Sequence, residues 1–565
     1  NIYFLAASSW IIFFIFRFSL VEVAMELSVI AVLLLGLVNF SWQNERTRRV
    51  RTSLGDIRGY YKISRHGRKY EAYEGIPYAQ PPVGKLRFEP VQEWINELPA
   101  VEKGSVCAQY NTLSTPQNGD KVTGCEDCLY MNIYIPLRNG NESLLPVMFW
   151  IHGGGYQFGS GNQVNEMLVM DRDVILVTFN YRLAFFGFFS TGDSVVPGNM
   201  GLKDQNMALR WVHNHIRSFG GDPNQITIFG LSTGSASVHY HYLSRLSAGL
   251  FQRGISISGV ALTPWAQTKY APDKARRFAA TLGCPTRNTK EMVDCLQTRP
   301  ARIISQPDHC VPFGPVVDKY GPNPFITRSP IDIIVSGEAY DVPWISGVVS
   351  EEGLCISAAF VGNDQLLKQL NDDWDNIAPY LLDHNDTLPF NQHKEVAEKI
   401  RKYYLGSNPI DSNTSLSVTH MIGDRMFNVD FQKAVILHAK INKSPVWTYY
   451  YSYRSMHSFS EIVSGGVSHG DDAFLVLDTR ISNVSRPNDL EMQQILLDFY
   501  TSFAIEGKPR AGDVQWQTLD PNEKEFQYLH IANPRNIKME TSSDFANIKF
   551  WNTIDFNENK ISGQE

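Results

Sequence analysis

The stretch Gly230-Leu231-Ser232-Thr233-Gly234 fences one serine between two glycines, just after the strand-favouring residues Ile226, Thr227, Ile228 and Phe229. A strand that turns sharply into a helix would hold such a hydroxyl up at its end, exposed as a nucleophile must be. Serine at its free pKa is a weak nucleophile, so it needs a base to take its proton and a third group to orient that base. Both residue types follow. "SEEGL" sets Glu351 and Glu352 beyond one apolar run, and "GVSHGDD" sets His469 in a glycine-flanked loop. Upstream, "HGGGY" from His152 to Tyr156 ends another apolar run, and its successive glycines let backbone N–H groups approach a ligand closely, as a developing oxyanion requires. A serine, an acid and a histidine beside such a turn could carry out acyl transfer: attack on an ester carbonyl, a covalent acyl intermediate, and release by water.

Taken alone, a serine between glycines is equally a structural turn, so the elements around it decide. "PVMFWIHGGG" and "DVILVTFNYRL" are continuous apolar runs of the kind buried on both faces of a parallel sheet. Between Gly201 and Ile216, "GLKDQNMALRWVHNHI" has helical spacing, and the Gly/Asp/Pro loop in "FGGDPNQITIFG" leads into the strand that delivers Ser232. Further strands are expected at "VPWISGVV" and "PVWTYYYSY". The alternation predicts an α/β fold, a mostly parallel sheet flanked by helices, with the site at the carboxyl ends of its strands. Ser232, the glycines after Ile151 and the acids after Val349 all follow such strands. His239 and His241, in the helix after Ser232, are expected to pack against neighbours.

Composition narrows the partners. With 565 residues, 43% of them hydrophobic, the chain can bury a large core, and no Pro/Ser-rich linker or internal repeat divides it. The net charge of −7 comes from interspersed acids and bases, so a nucleic-acid-binding surface is not indicated. No grouping of His and Cys has zinc-site spacing, and the chemistry above needs no metal or cofactor.

The first forty residues differ from the rest. Met25 is followed by an apolar block from Leu27 to Val38, about the length of a signal-peptide core and short for a bilayer span. We expect Met25 to be the start, residues 1–24 to lie outside the fold, 25–42 to be a signal peptide and 45–565 to form one catalytic domain. We expect a secreted protein without a stable membrane anchor, a two-segment anchor being the alternative because Glu26 stands where a basic residue is usual, and "NENKISGQE" at the other end shows no hydrophobic tail. Seven cysteines are present; Cys107 with Cys128 and Cys284 with Cys295 are spaced so that each pair could close a short loop in an oxidising compartment. Cys125, Cys310 and Cys355 are expected to be small buried residues. Sequons at Asn141, Asn385, Asn413 and Asn483 would accept glycans on surface loops, Asn442 less readily because proline follows its serine.

From about Gly55 onward the chain resembles the type-B carboxylesterases of the α/β-hydrolase fold, particularly the insect members. The matching stretches are "YEGIPYAQPPVGKLRF", "EDCLYMNIYIP", "HGGGYQFGSG", "GLKDQNMALRWV", "FGGDPNQITIFG", "LFQRGISISG" and "GVSHGDD". The resemblance implies Ser232 as nucleophile, Glu352, directly before Gly353, as the acid, and His469 as the base. It places the oxyanion hole on the amides of Gly154, Gly155 and Thr233, and pairs Cys107 with Cys128 and Cys284 with Cys295. A small hydrophobic ester is the implied substrate, held by walls near Tyr156, Phe185 to Phe189 and the run Trp447 to Tyr453.

The chain also departs from that pattern. Leu231 stands where many relatives carry Glu, which removes a charge beside the nucleophile and predicts poor turnover of choline esters. Thr233 stands where Ala is usual, and its β-branch on an oxyanion-hole amide predicts a slow enzyme. The other outcomes to be weighed are a scavenger that acylates and barely turns over, or a binding or adhesion protein on the same fold.

Overall fold

The computed structural model describes residues 47–562 except 53–54, 94–101, 112–120, 139, 141–142, 307–312, 459–465 and 478–483. The expectations about residues 1–42, Asn141, Cys310 and Asn483 lie outside the described residues.

Eleven strands form the central sheet. In chain order they are β1 (Tyr60–Ile63), β2 (Lys69–Pro77), β3 (Tyr130–Pro136), β4 (Leu145–Ile151), β5 (Ile175–Phe179), β6 (Gly221–Leu231), β7 (Arg253–Ile257), β8 (Trp344–Val349), β9 (Val446–Tyr451), β10 (Phe526–Asn533) and β11 (Asn536–Ser542). Their order across the sheet is 1-2-3-5-4-6-7-8-9-10-11. From β5 to β10 every neighbouring pair is parallel. The pairings among β1, β2, β3 and β5, and that of β10 with β11, are antiparallel.

The apolar runs are continuous because both faces of these strands are buried. Along β4, Val147, Phe149 and Ile151 face one core, while Met148 and Trp150 face the other. Strand β6 repeats this, with Ile226 and Ile228 on the first face and Phe229 and Leu231 on the second. Helices α1 (Met200–His215), α2 (Thr233–Leu243) and α3 (Val429–Ile441) contribute to the first core; α4 (Asp471–Leu477) and α5 (Pro487–Glu506) contribute to the second. A third cluster, around Trp374, Ile400 and Met421, joins helices inserted between β8 and β9 with Trp551 and Ile554 near the C-terminal end.

This packing corrects two expectations. Within β9, Trp447 packs on Phe503, and Tyr449 packs on Phe499 and Trp516, so these aromatics belong to the core under α5. Cys125 is exposed, because its backbone bridges Cys107 on a surface turn and its thiol points to the Asp127 carbonyl, 3.1 Å away. Disulfides join Cys107 to Cys128 and Cys284 to Cys295. Asn413 is exposed and Asn385 half-buried. Among the described residues no helix is long and apolar enough to cross a membrane.

The strand register brings four ends level. Gly230 of β6 pairs with Ile151 of β4, Leu231 with Ile257 of β7, and Ile257 with Gly347 of β8. The residues that follow those strands therefore meet along one edge of the sheet.

Candidate active site

Ser232 leaves β6 with φ 61° and ψ −122°, the left-handed half of backbone space that costs a non-glycine residue roughly 1–3 kcal/mol. The neighbouring structure holds it there. Its N–H donates to the Ile257 carbonyl at the end of β7 (2.9 Å), and its carbonyl accepts the Ala236 N–H in the first turn of α2 (2.9 Å). The two glycines are steric requirements of this crossing. A Cβ on Gly234 would sit 2.0 Å from the Ile151 carbonyl oxygen, and one on Gly230 would sit 2.6 Å from the Gly234 carbonyl.

The glycine loop lies directly against this elbow, since a Cβ on Gly153 would be 3.1 Å from Cβ of Ser232. Gly154 (φ 116°) and Gly155 (φ 65°) turn the chain over, and the Gly154 carbonyl accepts from the amides of Gln157 (2.9 Å) and Phe158 (3.0 Å). Only glycine fits at 154, where a Cβ would lie 2.0 Å from the Phe158 carbonyl oxygen. Among the described residues none accepts from the amides of Gly154, Gly155 or Thr233. Three N–H donors are thus unused in the glycine loop and at the first residue after Ser232.

Glu352 is fully buried and accepts three donors. Its Oε1 accepts the Val349 N–H (2.9 Å) and the Ser258 hydroxyl (2.6 Å), and its Oε2 accepts Nδ1–H of His469 (2.6 Å). Three donors offset the cost of burying the carboxylate, and the charge-assisted bond to the imidazole fixes which ring nitrogen carries the proton. Gly353 must follow, because a Cβ there would come within 2.0 Å of the Thr419 carbonyl oxygen.

Glu351 does different work from Glu352. Its Oε2 accepts the Val467 N–H (2.6 Å), its own N–H donates to the Val467 carbonyl (3.1 Å), and it forms a β-bridge with Ser468. It fastens the histidine's loop to the acid's loop. The acids after His469 shape the same loop. Asp471 accepts the Ser468 N–H (2.9 Å), while Asp472 accepts the Tyr449 hydroxyl (2.8 Å) and burial pushes its carboxyl up to about 6. His469 is 8% exposed, with the Phe427 ring 4.7 Å from its own. Phe427 belongs to a π-helical turn, Asp424–Asn428, of the kind often found at functional sites.

Leu231 is buried in the second core beneath this loop, where a Cβ on Gly470 would meet its Cδ2 at 3.0 Å. It acts on the histidine loop from below. His239 and His241 are wholly buried: His239 bonds His438 (2.8 Å) and the Ala261 amide (3.0 Å), and His241 bonds Ser247 (2.7 Å) and Gln205 (3.2 Å). His152, stacked on Tyr181 with centroids 4.3 Å apart, is held neutral by burial, which lowers it to about 4. Among the described residues no cluster of His, Cys, Asp and Glu could hold a metal ion.

Sequence reasoning missed Ser258, Tyr181 and Phe427. Ser258 alone left a signal, as the residue following a strand that ends level with β6 and β8. Replacing Ser258 with alanine deletes one of the three donors to Glu352, and a hydrogen bond to a charged group is worth about 1.5–3 kcal/mol. We expect kcat to fall by about tenfold or more with KM nearly unchanged. Steady-state kinetics check this, and an unchanged kcat would show that Ser258 contributes nothing to the carboxylate's placement.

A strained serine at a strand-to-helix elbow, a buried Glu–His pair and a free-amide turn on a mostly parallel sheet define the α/β-hydrolase class. The model of the carboxylesterase family matches residues 46–551. A carboxylic ester hydrolase of Bombus ignitus is 90% identical over 555 residues, covering 96% of this chain and 100% of that one. Venom carboxylesterase-6 of Apis mellifera is 61% identical over 548 residues, covering 94% and 98%. Among solved structures, juvenile hormone esterase from Manduca sexta, with OTFP covalently attached, superposes with a TM-score of 0.77 at 26% identity, covering 89% of this chain and 99% of that one. The chain belongs to the carboxylesterase family and is a carboxylic ester hydrolase.

Proposed function

We propose that the chain is a secreted serine carboxylesterase that cleaves neutral, hydrophobic carboxylic esters through an acyl-enzyme. The observation that carries this reading is Ser232 itself, held at φ 61° with the glycine loop packed on its Cβ, at the sheet edge that also carries the bonded Glu352–His469 pair. In the reaction His469 takes the serine proton as the hydroxyl attacks, then returns it to the leaving alcohol. Glu352 keeps that imidazole in the tautomer whose Nε2 can accept. The amides of Gly154, Gly155 and Thr233 stabilise the tetrahedral oxyanion, each by about 3 kcal/mol. Water activated by His469 then releases the acid.

The substrate class is supported by an apolar recess that reaches Gln157, two residues after the glycine turn, and is lined by Phe185, Phe186, Phe278 and Phe313 among others. Among the described residues no acid lines it, so a cationic alcohol gains no ion pair there. We expect kcat/KM for acetylthiocholine to fall at least tenfold below that for a neutral naphthyl ester; equal values would overturn the neutral-ester assignment. Secretion is supported by the two disulfides and the apolar block after Met25, and by a venom protein among the relatives.

The test is hydrolysis of p-nitrophenyl butyrate with an organophosphate label to titrate the site. A stoichiometric burst followed by steady turnover supports the esterase. A burst without turnover identifies a scavenger limited in deacylation, and neither burst nor label would leave a binding protein.

A further inference from the structure

Thr233 carries more than an amide. Its side chain is 1% exposed, and its Oγ1 accepts the N–H of Tyr156 at 3.3 Å, across the gap between the nucleophile's helix and the glycine loop. Tyr156 is the last residue of "HGGGY" and is itself strained, at φ 58°. Its carbonyl accepts the Ala184 N–H at 2.6 Å, so one peptide on each side of a left-handed residue is tied down. The other end of the glycine loop is held separately, by the Tyr181 phenol, which donates to the His152 carbonyl at 2.8 Å. The Tyr156 end is the one tied to the threonine. Alanine at this position could supply the amide but not this contact.

We propose that the Thr233 hydroxyl is a positioning group that locks the two halves of the oxyanion hole together. The amides of Gly154 and Gly155 come from a loop after β4, and the amide of Thr233 from the start of α2. Stabilising an oxyanion requires all three to converge on one point without reorganising as charge develops. The hydroxyl spans the two halves directly, through the Tyr156 N–H. The inference rests on the serine-esterase reading above.

Thr233→Val keeps the branched shape and removes the hydroxyl, whereas Thr233→Ser keeps the hydroxyl and removes the methyl. With p-nitrophenyl butyrate, Thr233→Val is expected to lose about tenfold in kcat with KM within twofold, and Thr233→Ser to stay within threefold of the parent. Affinity for a trifluoromethyl ketone, which forms a tetrahedral oxyanion on the serine, should fall in Thr233→Val by the same factor as kcat. Organophosphate titration of each preparation counts folded sites, so a partly folded variant is corrected for. If Thr233→Val does not fold, Thr233→Ala, which also lacks the hydroxyl, must show the same loss in kcat at constant KM. Valine matching threonine in kcat and ketone affinity overturns the clamp, and so does serine as slow as valine. A parent enzyme that takes no label overturns the esterase reading and the clamp with it, while a labelled parent with an unaffected valine variant overturns the clamp alone.

Discussion

Ser232→Ala is expected to lower kcat by about a million-fold and to abolish both the burst and the organophosphate label. The loss is this large because the serine, histidine and glutamate act as a unit, so removing the atom that bonds to the acyl carbon leaves the other two without a task. What remains is the slower attack of water on an ester bound against the amides of Gly154, Gly155 and Thr233. The fold should not register the change. Alanine keeps the Cβ, the elbow's bonds to Ile257 and Ala236 are made by the backbone, and the strained φ of 61° is imposed by the same neighbours. The check pairs kinetics with a thermal melt: lost turnover with the melting temperature within about 2 °C of the parent is expected. A variant that keeps a tenth of the parent's turnover would mean that another residue is the nucleophile.

The parts of this site that the sequence disclosed share a physical cause. Gly230, Gly234, Gly154 and Gly353 stand where a Cβ would strike a carbonyl oxygen or carbon at 2.0–2.6 Å, so only glycine fits there and the residue type itself leaves a readable pattern. The strands were legible for a similar reason: a strand buried on both faces must be apolar throughout, as β4 and β6 are. What stayed hidden depends on contacts between distant segments. Glu351 and Glu352 are identical in composition and adjacent, and only the fold turns one toward Val467 and the other toward His469. Leu231 sits beside Ser232 in sequence, yet strand alternation points it away into the second core. The aromatic run in β9 had the composition of a pocket wall, but α5 covers it. Cys125 lies between residues that form a disulfide and remains outside it, because the turn that brings its backbone to Cys107 directs its thiol to Asp127.

Replacing Glu352 with glutamine should cost about ten-thousand-fold in kcat, although the side chain keeps its shape and the site its packing. Two of the carboxylate's three donors fall on Oε1, from the Val349 N–H and the Ser258 hydroxyl, and the third, from His469, falls on Oε2. An amide can present oxygen on one side only. If its oxygen faces His469, its NH2 points at the Val349 N–H, two donors confront each other inside the protein, and a buried amide is left unsatisfied. If its oxygen faces Val349 and Ser258, every group in the network can be paired, but the NH2 now donates to Nδ1 of His469. The imidazole must then carry its proton on Nε2, the nitrogen that has to accept from Ser232. The second arrangement avoids the buried clash, so the variant should fold normally with its base in the wrong tautomer. Proton NMR should lose the far-downfield signal of an Nδ1–H bonded to a carboxylate, and kcat should fall with little change in KM. A Glu352→Gln enzyme within tenfold of the parent would show that the carboxylate neither selects the tautomer nor stabilises the imidazolium, and the acid would have to be sought elsewhere.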